Sequence, residues 1–102
     1  MTDILRDLFL GFVRVHILYH TSHEPTYGTW WIEELAEHGY KLSPGTLYPI
    51  LHGLEGEDLL SSYEEVINGK ARKYYRITPA GKKVLNAARR KVEELSEEIV
   101  KK

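Results

Sequence analysis

The sequence predicts a single, mainly helical α+β domain. Three observations carry that prediction: helical periodicity at both ends of the chain, two Pro-led helix starts in its interior, and one strand–turn–strand segment between them. With 102 residues there is room for one hydrophobic core and little else.

The first helix is expected over residues 3–20. Asp3, Asp7 and Arg14 share a stripe only about 40° wide at the helical repeat, and nearly all the remaining surface is apolar. Such a helix must be covered on more than one side, by its own core and by a partner chain. Residues 21–27 read as a turn containing Pro25. A second helix is expected over 28–38, with Trp31, Leu35 and Ile32 inward and Gly39 as its stop. Adjacent Trp30 and Trp31 cannot both face one core.

Ser43-Pro44 is a helix start, Ser as N-cap and Pro at the first helical position. The third helix should run to about residue 57, with Leu47, Ile50, Leu51 and Leu54 on one face. Strands are expected over 59–67 and 70–77. Asn68-Gly69 between them is a strong hairpin signal, because both residues tolerate positive φ. Thr78-Pro79 then opens a last helix that should reach the C-terminus. Helix, helix, helix, hairpin, helix is the winged helix-turn-helix plan of three helices and a two-stranded wing, followed by a long C-terminal helix. Residues 1–78 read as the DNA-binding part and 79–102 as a dimerisation helix packed with the first helix, in one structural unit.

The formal net charge of -1 conceals a segregation of sign. Lys70 to Lys91 carries nine basic side chains and no acidic one, whereas the first forty residues are net acidic. On charge alone this is either a positive face for an anionic partner or a solvated surface whose counter-charges folding supplies. The third helix supplies the other half of such a surface. Gly45, Pro49, Gly53 and Gly56 are poor helix formers that folding alone does not favour. Together with Ser43, Thr46, Tyr48 and His52 they let the helix approach a surface closely and hydrogen-bond to it. On the second strand Arg72, Tyr74 and Arg76 share one face, opposite Ala71, Lys73, Tyr75 and Ile77. With Lys70 at the tip, these cations can neutralise backbone phosphates.

Two long motifs in this order resemble the PadR family of winged-helix transcriptional regulators. They are Leu42-Ser43-Pro44-Gly45-Thr46-Leu47-Tyr48-Pro49, with Leu51, Leu54, Glu55 and Leu59, and Arg72-Lys73-Tyr74-Tyr75-Arg76-Ile77-Thr78-Pro79-Ala80-Gly81. Tyr27-Gly28 at the head of the second helix also fits. The resemblance implies a dimeric DNA-binding repressor whose first and last helices form the dimer, released by a small aromatic or hydrophobic effector. Thr29-Trp30-Trp31 departs from the family pattern, and Asp58 stands where a glycine is usual. A single helix after the wing places the chain with the short subfamily.

The expected DNA contacts are Ser43, Gly45, Thr46, Tyr48, Pro49 and His52 on the third helix, and Lys70, Arg72, Lys73 and Arg76 on the wing. Leu85, Ala88, Val92, Leu95 and Ile99 step by three and four, a seam for a homodimer joined by Leu5, Leu8, Phe9 and Phe12 of the first helix. Two winged domains so joined would present their third helices to successive major grooves of a palindromic double-stranded operator. Phe9, Phe12, Trp30 and Val92 are the candidate lining of an effector cavity at the dimer centre.

Other classes fare worse. A 42% hydrophobic composition excludes a disordered chain, and zero cysteines exclude disulfides, thiolate metal sites and a cysteine nucleophile. No apolar stretch reaches the roughly 20 residues of a membrane span, and Met1-Thr2-Asp3 does not begin a secretory signal. A cytoplasmic protein with no membrane partner is expected. His16 and His20 are four apart, with His23 and Glu24 following, so a metal site is geometrically possible. Histidines inside an apolar helix are more commonly packed than ligating, and the sequence leads us to expect no metal, no cofactor and no catalytic residue. The rival to a DNA-binding regulator is a winged-helix protein-interaction module, against which the basic wing argues.

Overall fold

In a computed structural model describing residues 2–101, the chain runs α1 (Asp3–Thr21), β1 (Thr26–Tyr27), α2 (Gly28–Glu37), α3 (Pro44–Gly56), β2 (Leu60–Ile67), β3 (Lys70–Ile77) and α4 (Pro79–Ile99). The expected helices and hairpin are all present. Residues 26 and 27, read as part of a turn, instead form a short strand. They pair antiparallel with the free edge of β3, Thr26 opposite Tyr75 and Tyr27 opposite Tyr74. The sheet therefore has three strands in the order β1-β3-β2. The last helix stops at Ile99 short of the C-terminus; Lys102 lies outside the described residues.

The hairpin turns on Asn68 and Gly69, at φ 53° and 78°, which is the two-residue turn whose twist matches the strands. Asp58 takes the left-handed conformation, φ 61°, at the position where the family resemblance expects glycine. Thr78 fastens that turn to α4. Its hydroxyl donates to the Asp58 carbonyl at 2.6 Å and accepts from the Gly81 amide at 2.9 Å, capping the helix. Ser43 occupies the N-cap of α3 without a side-chain bond to the backbone; its hydroxyl meets that of Thr46 at 3.3 Å.

Every element but β1 contributes to one core: Val13, Ile17 and Leu18 of α1, Trp31 and Leu35 of α2, Leu47, Leu51 and Leu54 of α3, Leu60, Tyr75 and Leu85. Burial settles the tryptophan pair. Trp31 is fully enclosed and Trp30 only partly, packed edge-on to it at 4.8 Å. Leu85, expected in a seam between chains, belongs instead to this core because the start of α4 packs on α1 within its own chain.

Beyond Leu85 the helix leaves the core behind, and the molecule is 53 Å long but only 31 and 22 Å across. Val92, Leu95 and Ile99 are exposed there, as are Ile4, Leu5, Leu8 and Phe12 of α1. Ala88 is half-buried, and Phe9 turns inward against Tyr40, ring centroids 4.8 Å apart. Among the described residues no helix is long and apolar enough to cross a membrane.

Candidate nucleic-acid interface

α3 offers solvent its irregular side. Ser43, Gly45, Thr46, Tyr48, Pro49 and His52 are all exposed, while Leu47, Leu51 and Leu54 anchor the opposite face. Pro49 removes the amide that would bond to the Gly45 carbonyl, so this helix is held by its buried leucines more than by its own ladder. Tyr48 and His52 lie one turn apart, ring centroids 6.4 Å from each other.

The wing stands beside this face. Tyr48 shares a cleft of about 290 Å³ with Thr29 at the head of α2 and with Lys70, Ala71, Arg72 and Lys73 of β3. Gly28 makes the approach possible, since a Cβ there would overlap the Tyr48 phenol. The exposed side of α3 and the wing cations Lys70, Arg72 and Lys73 thus open on a common space.

The strand alternation holds, and it reveals partners that the sequence reading did not name. Tyr27, Tyr74 and Tyr63 form a row across the three strands on the face away from the core. The guanidinium of Arg72 lies over the Tyr27 ring at 4.5 Å and that of Arg76 over the Tyr63 ring at 4.3 Å. Stacking on tyrosine fixes each planar cation while leaving its N–H edge free to donate. The signal for this was present as aromatic residues alternating with arginines, but the pairing of Tyr27 depended on β1. Arg76 is exposed at the base of the ribbon, outside the Tyr48 cleft. Lys73 points to the core side, where Glu55 of α3 lies 3.9 Å away and holds part of its charge.

A second concavity, about 400 Å³, opens between α1 and α4. Phe12, Val15, His16, Tyr19, Tyr40, Leu85, Arg89 and Val92 line it. Of the four expected effector residues, Phe12 and Val92 are in this lining. Phe9 packs on Tyr40, and Trp30 lies outside this lining, 5.6 Å from the His20 ring.

Behind that cavity α1 and α2 bring His16, His20 and His38 together, with ligating nitrogens all within 4.8 Å of one another. Glu34 stands beside them, one carboxylate oxygen 3.4 Å from Nε2 of both His20 and His38. His23, which follows them in sequence, lies outside this group and packs on Tyr19. Burial lowers the pKa of His16 and His20; neighbouring imidazoles add to the effect, and Glu34 opposes it.

A short helix, a tight turn and an exposed second helix, followed by a protruding antiparallel ribbon, define a winged helix-turn-helix protein. The chain belongs to the PadR-like family of transcriptional regulators, whose model matches residues 17–87. It is 47% identical to "Transcriptional regulator Rv3488" of Mycobacterium tuberculosis over 94% of this chain and 90% of that one. Among solved structures, a PadR-like transcription factor from Bacteroides fragilis superposes with a TM-score of 0.81 at 31% identity, covering 96% of each chain. A PadR family regulator from Eggerthella lenta gives a TM-score of 0.72 at 33% identity, covering 97% of this chain and 91% of the other.

Proposed function

We propose that this regulator acts as a homodimeric repressor that reads double-stranded DNA with α3 and grips its backbone with the wing. The observation that carries the reading is the shared cleft of Tyr48, Thr29, Lys70, Arg72 and Lys73. A helix with small and hydroxyl-bearing residues outward fits the major groove, where Thr46, Tyr48 and His52 meet base edges. Ser43, Gly45 and Pro49 keep its first turns slim. Lys70, Arg72, Lys73 and Arg76 then neutralise flanking phosphates.

Dimerisation covers the apolar surface that one chain leaves bare. Phe12 of α1 lines one apolar groove with Val92, Leu95 and Ile99 of α4, and Leu5 and Leu8 are exposed further along α1. A second copy, with α1 and α4 crossing between protomers, buries both sets at once and spaces the two α3 helices for half-sites of a palindromic operator about 34 Å apart. The cavity between α1 and α4 then lies against the seam, where a small aromatic or hydrophobic effector would shift the angle between the wings.

A gel-shift with the DNA upstream of the protein's own coding sequence tests this. The expected result is a retarded complex of one dimer per duplex. Absence of any complex at micromolar protein and low salt would overturn it in favour of a protein-interaction module.

A further inference from the structure

We propose that His16, His20 and His38, with Glu34, form a site for a divalent transition-metal ion of the zinc type that clasps α1 to α2. Two helices each contribute a pair of side chains four residues apart, which places both members on one face. His16 and His20 come from α1, Glu34 from the last turn of α2 and His38 from its C-cap. The pairs face each other so that the three imidazoles converge, with a Glu34 oxygen 3.4 Å from two of them.

The distances suit a common central ion better than direct contact. Glu34 is equidistant, at 3.4 Å, from two imidazole nitrogens, beyond the range of a good hydrogen bond. Metal–nitrogen bonds of about 2.0–2.1 Å put tetrahedral ligand atoms roughly 3.3 Å apart. Nitrogens already within 4.8 Å reach that spacing by turning the rings, without moving a helix. The rings are arranged for it: His16 lies 4.7 Å from His38 and 6.3 Å from His20, the latter pair nearly parallel.

Donor chemistry selects the ion. Three imidazoles and a carboxylate, with no thiolate in the chain, favour zinc, cobalt or nickel over calcium and magnesium, which take oxygen ligands. Trp30, Trp31 and Tyr40 pack against His20 and His16 at 5.5–5.6 Å between centroids and wall the site with aromatic surface. Such a surround limits water and holds ligand rings in place.

The test is calorimetric titration of the untagged, chelator-treated full chain with zinc and with cobalt(II), together with the thermal unfolding midpoint with and without metal. We expect about one ion per chain and a raised midpoint. His16→Gln and His38→Gln should each weaken binding about 10-fold or more and abolish the rise in midpoint. His38 is exposed at the end of α2, so its replacement leaves the fold intact. His23→Gln, outside the cluster, should change nothing. No binding up to about 100 µM metal, or His16→Gln and His38→Gln variants that bind like the parent, would overturn the proposal. None of these readings involves DNA, so their outcome is independent of the repressor proposal.

Discussion

The Tyr48 ring occupies the space in which a side chain on Gly28 would begin. α2 and α3 therefore meet at a point where one residue has no Cβ and the other is the exposed aromatic of α3. The head of α2, the proposed reading helix and the wing tip are coupled through that contact, because Thr29, Tyr48 and Lys70–Lys73 line the same cleft.

Gly28→Ala separates this coupling from stability. Residue 28 is the first residue of α2, where alanine is favoured over glycine, and the obstacle is the movable end of a side chain. Unfolding free energy should stay within about 1 kcal/mol of the parent. Displacing Tyr48 removes a proposed base contact and should weaken operator binding about 10-fold. Urea denaturation and a binding isotherm on the same sample check the pair, and unchanged affinity would place Tyr48 outside the interface.

Gly81 is the opposite case. A Cβ there would run into the Leu59 carbonyl and lie 2.7 Å from Ile77 Cγ1, and backbone cannot swing aside as a ring can. Gly81→Ala should destabilise the fold by about 1–3 kcal/mol, measured by urea midpoint, despite its gain in helix propensity. A midpoint equal to the parent's would mean that α4 slides freely on the β2 junction.

Leu95→Asp tests the seam. Leu95 is half exposed in one chain, and a surface substitution there would shift stability by no more than about 0.5 kcal/mol if the protein were a monomer. In the proposed dimer it buries a charge between copies. Sedimentation equilibrium should show the parent as a dimer at micromolar concentration and the variant as a monomer; identical masses would refute the seam.

The sequence revealed those features that depend on local chemistry. Thr78-Pro79 and Asn68-Gly69 act through their own dihedrals and donors, so cap and turn appear where pattern places them. The two-residue β1 lacks any period of its own and exists because β3 has an open edge. Leu85 fits a heptad seam, yet burial depends on how far the core extends under α4, which periodicity cannot say. Trp30 fell outside the α1–α4 cavity for a similar reason: adjacency excludes one tryptophan from the core without saying where it goes. The histidine cluster was half visible. His16 and His20 share a turn, but Glu34 and His38 join them only through the packing of α2 on α1.

The most direct test of the account is the salt dependence of operator affinity, followed by fluorescence anisotropy for the parent chain and for Arg72→Ala. Each phosphate contact contributes about 0.9 to the slope of log affinity against log salt. Because a dimer would lose two contacts, the variant's plot should be shallower by about 2. A variant line parallel to the parent's, or parental binding indifferent to salt, would contradict a wing that holds the DNA backbone.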